Sequence, residues 1–229
     1  MLIGVFDETH KKDGDPLTGI GGFLFDKDAL LTIQQEPVFK NRNRRHGDLS
    51  KLLAKHRGVG FICTVSNNEF DIWRRSGAST ALWFGKPHSL CLLYIVGMVK
   101  NYLDCKGSSE DVFYKFEDGA DGKVQGETFL RRIWTNPDLR TRFHLNNYKF
   151  VAKKPSYISD LAHVLIYHWQ KIHRDAEKMG KDEGEANKVI RLLFENAETP
   201  EIRFCHLSTG GFRTFSIDVF TSGIIGGPQ

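Results

Sequence analysis

A short apolar run that ends in two adjacent carboxylates, Gly4-Val5-Phe6-Asp7-Glu8, constrains this chain more than any other stretch. It reads as a buried strand, and such a strand delivers its terminal side chains to the rim of a core. Carboxylates are costly to hold there unless a cation or hydrogen-bond donors compensate them. Two more acidic positions recur in comparable settings. Glu117-Asp118 follows the run Val112-Phe113-Tyr114-Lys115-Phe116, and Asp160 opens an apolar helical stretch. Carboxylates that are distant in sequence but gathered on one sheet form a divalent-metal site.

The chain has 229 residues, which suits one large domain. Its 17 Phe residues and 40% hydrophobic content supply a core. A formal net charge of +4 permits a nucleic-acid partner without requiring one. Cys63, Cys91, Cys105 and Cys205 sit singly in apolar stretches, with neither zinc-ligand nor redox spacing, and are expected to be reduced core residues. The N-terminal residues enter a strand directly, without the basic segment and cleavage site of a signal peptide. The longest apolar run, Leu90–Val99, is about half a membrane span. The expectation is a soluble, cytoplasmic protein with no membrane partner.

In chain order, a strand over Leu2–Glu8 and a polar turn lead to a second strand, Ile20–Phe25, giving an antiparallel pair. A helix is predicted over Asp26–Phe39, ending near Pro37, and a short one over Asp48–His56. A third strand follows at Val59–Val65. Residues 67–87, with Trp73, Trp83 and Arg74-Arg75, read as an insertion. Helices are predicted at His88–Leu103, Gln125–Trp134, Tyr157–Glu177 and Ala186–Asn196, and strands at Asp111–Glu117 and Phe143–Val151. Ile202–Leu207 and Phe212–Phe220, split by Thr209-Gly210-Gly211, read as a closing β-hairpin. Strands alternating with helices after an antiparallel start argue for an α/β fold with a mixed sheet.

Three segments resemble one family. Val5-Phe6-Asp7-Glu8-Thr9 followed by Gly21-Gly22-Phe23 resembles the opening of DUF3800 proteins, whose first strand ends in Asp-Glu-Ser and precedes a Gly-Gly strand. Phe116-Glu117-Asp118-Gly119 is similar to that family's acidic middle strand. Lys153-Lys154, with Asp160-Leu161-Ala162-His163-Val164-Leu165-Ile166-Tyr167, is similar to its last block, a Lys followed by Gln-Leu-Ala-Asp-Leu-Leu-Ala-Tyr on a helix. The resemblance spans residues 2–170. It implies a ribonuclease-H-like mixed β-sheet flanked by helices, metal-dependent nuclease chemistry and a prokaryotic or phage setting. The whole chain, 1–229, then reads as a single ribonuclease-H-like domain, with an insertion at about 67–87 and a C-terminal extension at about 180–229 that carries the hairpin. The chain departs from the pattern in two places. Thr9-His10 replaces Ser-Gly, and His163 stands where the family has Asp, while Asp160 stands where it has Gln.

On that resemblance Asp7 would bridge two divalent ions about 3.5–4 Å apart, with Glu117, Asp160 and His163 completing the cage and Glu8 behind it. The ions would be Mg²⁺ or Mn²⁺, with His163 leaning the choice toward Mn²⁺. Lys154 would touch the scissile phosphate of a DNA or RNA substrate, hydrolysed by a metal-activated water. Each residue has a plainer reading: a turn carboxylate for Asp7, a dipole-compensating acid in a first helical turn for Asp160, and a half-buried hydrogen-bonded histidine for His163. The rival function is a non-catalytic ribonuclease-H-like module that binds nucleic acid or a partner through a degenerate site. Another phosphate chemistry is a third reading, which the lack of a Gly-rich phosphate loop disfavours. Arg42, Arg44, Arg45, His46, Arg74, Arg75, Arg131 and Arg132 are candidate phosphate contacts only if they gather on the acidic face.

Overall fold

The N-terminal run forms strand β1 (Leu2–Glu8), buried along nearly its whole length inside a six-stranded sheet. A computed structural model describes residues 1–9, 16–37, 49, 52–53, 55–56, 58–77, 84–118, 123–152, 159–179 (171–179 as backbone) and 202–207. Strand β2 (Leu17–Asp26) lies antiparallel to β1, and β3 (Val59–Ser66) antiparallel to β2. On the other side of β1, β4 (Val112–Asp118) and β5 (Leu145–Ala152) run parallel to it in turn. The last strand, β6 (Ile202–Leu207), pairs parallel with β3, so the order is β5-β4-β1-β2-β3-β6. This is the mixed α/β sheet flanked by helices that the sequence predicts.

Three of the described helices begin where a side chain accepts a first-turn N–H. Asp26 accepts from the Asp28 N–H at the start of α1 (Lys27–Gln35), and Ser66 accepts from Glu69 at the start of α2 (Asn67–Arg75). Pro87 opens α3 (Pro87–Cys105), where its missing N–H costs nothing. Then come α4 (Lys123–Thr135), α5 (Pro137–Arg142) capped by Asn136, and α6 (Ser159–Met179).

The sheet separates two apolar clusters. One packs Phe6, Phe61, Tyr114 and Phe116 against α2, α3, α4 and α5. The other packs Ile3, Val5, Phe23, Phe25 and Ile62 against α1, Leu49, Leu52, Leu53 and α6. With both faces covered, β1 and β2 carry continuous apolar runs rather than alternating ones.

The structure adds to the sequence reading at four places. Residues 67–75 form α2, which buries Phe70 and Trp73 in the first cluster. Residues 137–142 form a short helix where none was predicted. Ile202–Leu207 is a strand, but it extends the main sheet beside β3; its expected hairpin partner, 212–220, lies outside the described residues, as does the helix predicted at 186–196. Cys63 and Cys91 are buried and Cys205 partly so, whereas Cys105 is exposed at the end of α3, and all four are free thiols. No helix among the described residues is long and apolar enough to cross a membrane.

Candidate active site

Strand alternation decides which acidic residues meet. Ile3 and Val5 belong to the cluster under α6 and Phe6 to the one under α3. Asp7 therefore points toward α6, and Glu8 toward α3. The same alternation on β4 puts Glu117 on the α6 side with Phe113 and Lys115, and Asp118 on the opposite side with Tyr114 and Phe116. Parallel register aligns Phe6 with Phe116, which seats Asp7 beside Glu117 at the carboxyl ends of two neighbouring strands. Both are buried, Asp7 at 2% exposure and Glu117 at 7%. In open α/β sheets this end of the strands is where ligands bind.

Helix α6 supplies the third member. It buries Leu161, Val164, Leu165, Ile166 and Trp169 on the sheet. Gly21 allows the close approach, since a Cβ there would stand 3.1 Å from Ile166 Cδ1. Gly21 is also the cross-strand partner of Asp7, so no side chain stands between that carboxylate and the helix. His163, at the edge of the buried stripe and 33% exposed, brings Nδ1 to 2.9 Å from Asp7 Oδ2. Asp7 Oδ1 accepts the Glu8 N–H at 2.8 Å, and Glu117 contributes another hydrogen bond.

Burial pushes the Asp7 carboxyl up, but hydrogen bonds from His163 and Glu117, the His163 charge and the Glu8 N–H together outweigh it and hold the group below its ordinary 3.8. A carboxylate with a depressed folded-state pKa stabilises the fold above its unfolded value, and this contribution is lost as pH falls through the folded value. In metal-free protein, wild type should therefore lose more stability than Asp7→Asn as the pH is lowered from neutral to below 3.8. Urea unfolding of both proteins across that range checks this, and parallel pH profiles would contradict it.

Of the other predicted site residues, Asp160 lies half-buried in the first turn of α6, three residues before His163 and on the same helical face. Lys154 lies outside the described residues, as do Lys153, Arg42, Arg44, Arg45, His46 and Trp83. Glu8 does not join the cluster. Its Oε2 lies 3.3 Å from His88 Nε2 at the start of α3, and both side chains are largely buried. The reason is strand parity, which puts Glu8 and Asp7 on opposite faces. His88 shows no ligand spacing in the sequence, and only the packing of α3 brings it to Glu8, 80 residues earlier in the chain. Asp118 pairs with Lys123 at 2.8 Å.

The basic pairs do not reach the acidic face. Arg74-Arg75 and Arg131-Arg132 lie on α2 and α4, which pack on the other side of the sheet, and Arg74 lies 3.7 Å from Asp71. Trp73 is core, and Trp134 is exposed on α4. The lysines that do share a face with Glu117 are Lys115 and its β5 partner Lys149. Partial burial, with Lys149 close by, lowers the pKa of Lys115. The alternation of β4 could have pointed to Lys115, but its partner needed the register.

Two carboxylates and an imidazole suit Mg²⁺ or Mn²⁺ in kind, and two buried acids side by side are a charge that a cation would offset. Among the described residues, no three His, Cys, Asp or Glu side chains stand in a metal-holding arrangement, and His163 Nδ1 is engaged with Asp7. A cation bound by both would take the place of that hydrogen bond.

No family model matches the chain. No curated protein matches it. Among solved structures it is similar to the PCNA:RNase HII complex from Archaeoglobus fulgidus, at 14% identity and a TM-score of 0.41, over 99% of this chain and 92% of that chain.

Proposed function

We propose that the chain is a divalent-metal-dependent nuclease of the DUF3800 kind, hydrolysing phosphodiester bonds in DNA or RNA. One observation carries the reading: Asp7 and Glu117, buried and adjacent at the ends of two parallel strands, with His163 against Asp7. A fold with only stability to serve would gain by replacing two neighbouring buried acids with apolar residues.

In this reading Asp7 and Glu117 hold the cation, with Asp160 and His163 at its α6 side. A bound Mg²⁺ or Mn²⁺ would supply charge stabilisation at the phosphoryl oxygens and lower the pKa of water. The Glu8 N–H fixes the Asp7 carboxylate at one oxygen and His163 at the other, so Asp7 is oriented before any ligand arrives. The rival, a non-catalytic binding module, draws on the same Asp7–His163 hydrogen bond, which lets the acid be satisfied without a cation.

The test is thermal unfolding in EDTA and in Mn²⁺ or Mg²⁺, together with cleavage of labelled DNA and RNA. A cation at a hundred-fold excess over Kd adds about 2.7 kcal/mol to stability. That corresponds to a rise in Tm of about 5–10 °C for a chain of this size. No shift and no cleavage with either ion would leave the binding module as the function.

A further inference from the structure

Beside the acidic pair lies a stretch of sheet that no apolar cluster of the described residues covers. Among the described residues, the cluster under α6 takes nothing from β4 or β5. On that same face, register places three pairs side by side: Phe113 with Asn147, Lys115 with Lys149, and Glu117 with Val151. Asn147 and Lys149 are exposed, while Phe113 and Lys115 are half-buried. Lys115 Nζ sits over the Phe113 ring, 5.4 Å from its centroid.

Two like charges directly across a sheet destabilise it. A lysine on an edge strand guards against unwanted pairing, which accounts for Lys149 alone. It does not account for a second lysine on the inner strand, turned to the same face. An anion between the two would remove the repulsion. Lys115 is two residues from Glu117 along one strand, about 6.6 Å, a distance that one nucleotide step can span. A half-buried aromatic ring and an exposed amide come next along the same line, and ring, amide and cation on an open sheet are what splayed single-stranded bases and their phosphates use.

We propose that the β4–β5 face is a single-stranded nucleic-acid platform, with Lys115 and Lys149 clamping the phosphate next to the one held at Asp7 and Glu117 and Phe113 stacking the adjoining base. The proposal rests on the nuclease reading for the direction of the strand, which leads into the acidic pair. Single-stranded rather than duplex nucleic acid is the occupant because stacking on Phe113 needs an unpaired base.

The experiment measures binding of fluorescein-labelled oligo-dT and oligo-rU by anisotropy, in EDTA, across a salt series. Each phosphate contact contributes about −0.7 to the slope of log K against log salt for a single strand. Lys115→Gln/Lys149→Gln should therefore flatten the slope by about 0.7, Lys115→Arg/Lys149→Arg should restore it, and Arg132→Gln on the opposite layer should leave it unchanged. Lys149→Gln alone replaces an exposed side chain, and a flattening in the same direction there answers the case in which the double variant folds poorly. Phe113→Leu should weaken binding without altering the slope.

An unchanged slope in the glutamine variants overturns the proposal, as does undetectable binding by the wild type. So does displacement of the oligonucleotide by polyglutamate as effectively as by unlabelled oligonucleotide. Lysine-dependent binding without any metal response would keep the platform and remove the nuclease. Metal-dependent cleavage with an unchanged slope would do the reverse.

Discussion

Asp7→Asn is expected to cut metal-dependent phosphodiester cleavage by about 10³-fold, the scale of several kcal/mol of lost charge stabilisation. It should also abolish the Mn²⁺-induced rise in Tm. The substitution keeps the shape of the side chain, and the amide oxygen can still accept the Glu8 N–H that Asp7 accepts now. What it removes is the charge beside Glu117, where the cation would sit. Glu117→Gln should behave alike, because register makes the two carboxylates equivalent neighbours. Glu8→Gln is the control that gives the result its meaning. Glu8 is adjacent in sequence but faces His88 across the sheet, so its loss should lower stability while Mn²⁺ still raises Tm. Full activity in Asp7→Asn, or equal loss of metal response in Glu8→Gln and Asp7→Asn, would refute the site.

The parts of this site that follow a short-range period were legible in the sequence. A period of two separates Asp7 from Glu8 and Glu117 from Asp118, and a spacing of three joins Asp160 to His163 on one helical face. The parts that depend on partners distant in the chain were not. Glu8 finds His88, and Lys115 finds Lys149, only through the packing of α3 and the register of β5. β6 illustrates the same limit: Ile202–Leu207 reads as a strand from its composition, yet nothing local says that it will lie parallel to β3. Helix α2 is a different case, because its signal was local. Ser66 followed by Glu69 is a capping box, and the Ser66 hydroxyl does accept the Glu69 N–H, at 3.3 Å. Within α2, Trp73 is buried beside Phe70, so this stretch serves the core.

Gly22→Ala should be the most damaging small substitution among the described residues, at more than about 4 kcal/mol, a range reached only through a specific structural fault. Gly22 pairs with Phe6 across the β1–β2 ladder. A Cβ there would stand 2.0 Å from the Val5 carbonyl oxygen and 2.7 Å from Phe6 Cα. An overpacked side chain can often turn aside, at about 1–3 kcal/mol. Here the obstacle is the backbone of β1, which cannot withdraw without breaking hydrogen bonds to β2 or β4. Against a total stability of about 5–15 kcal/mol, that loss brings the fold to its margin. Gly97→Ala is the counterpart: in the interior of α3, with nothing within 4 Å of the added Cβ, it should stabilise by about 0.5–1 kcal/mol. Urea unfolding of the two variants measures both, and a loss under about 1 kcal/mol for Gly22→Ala would mean that β1 and β2 are not as close as described. The same experiment reaches the function. Asp7 follows Phe6 directly, so a β1 displaced by Gly22→Ala should lose its Mn²⁺ response even under conditions where the protein still folds, whereas Gly97→Ala should keep it.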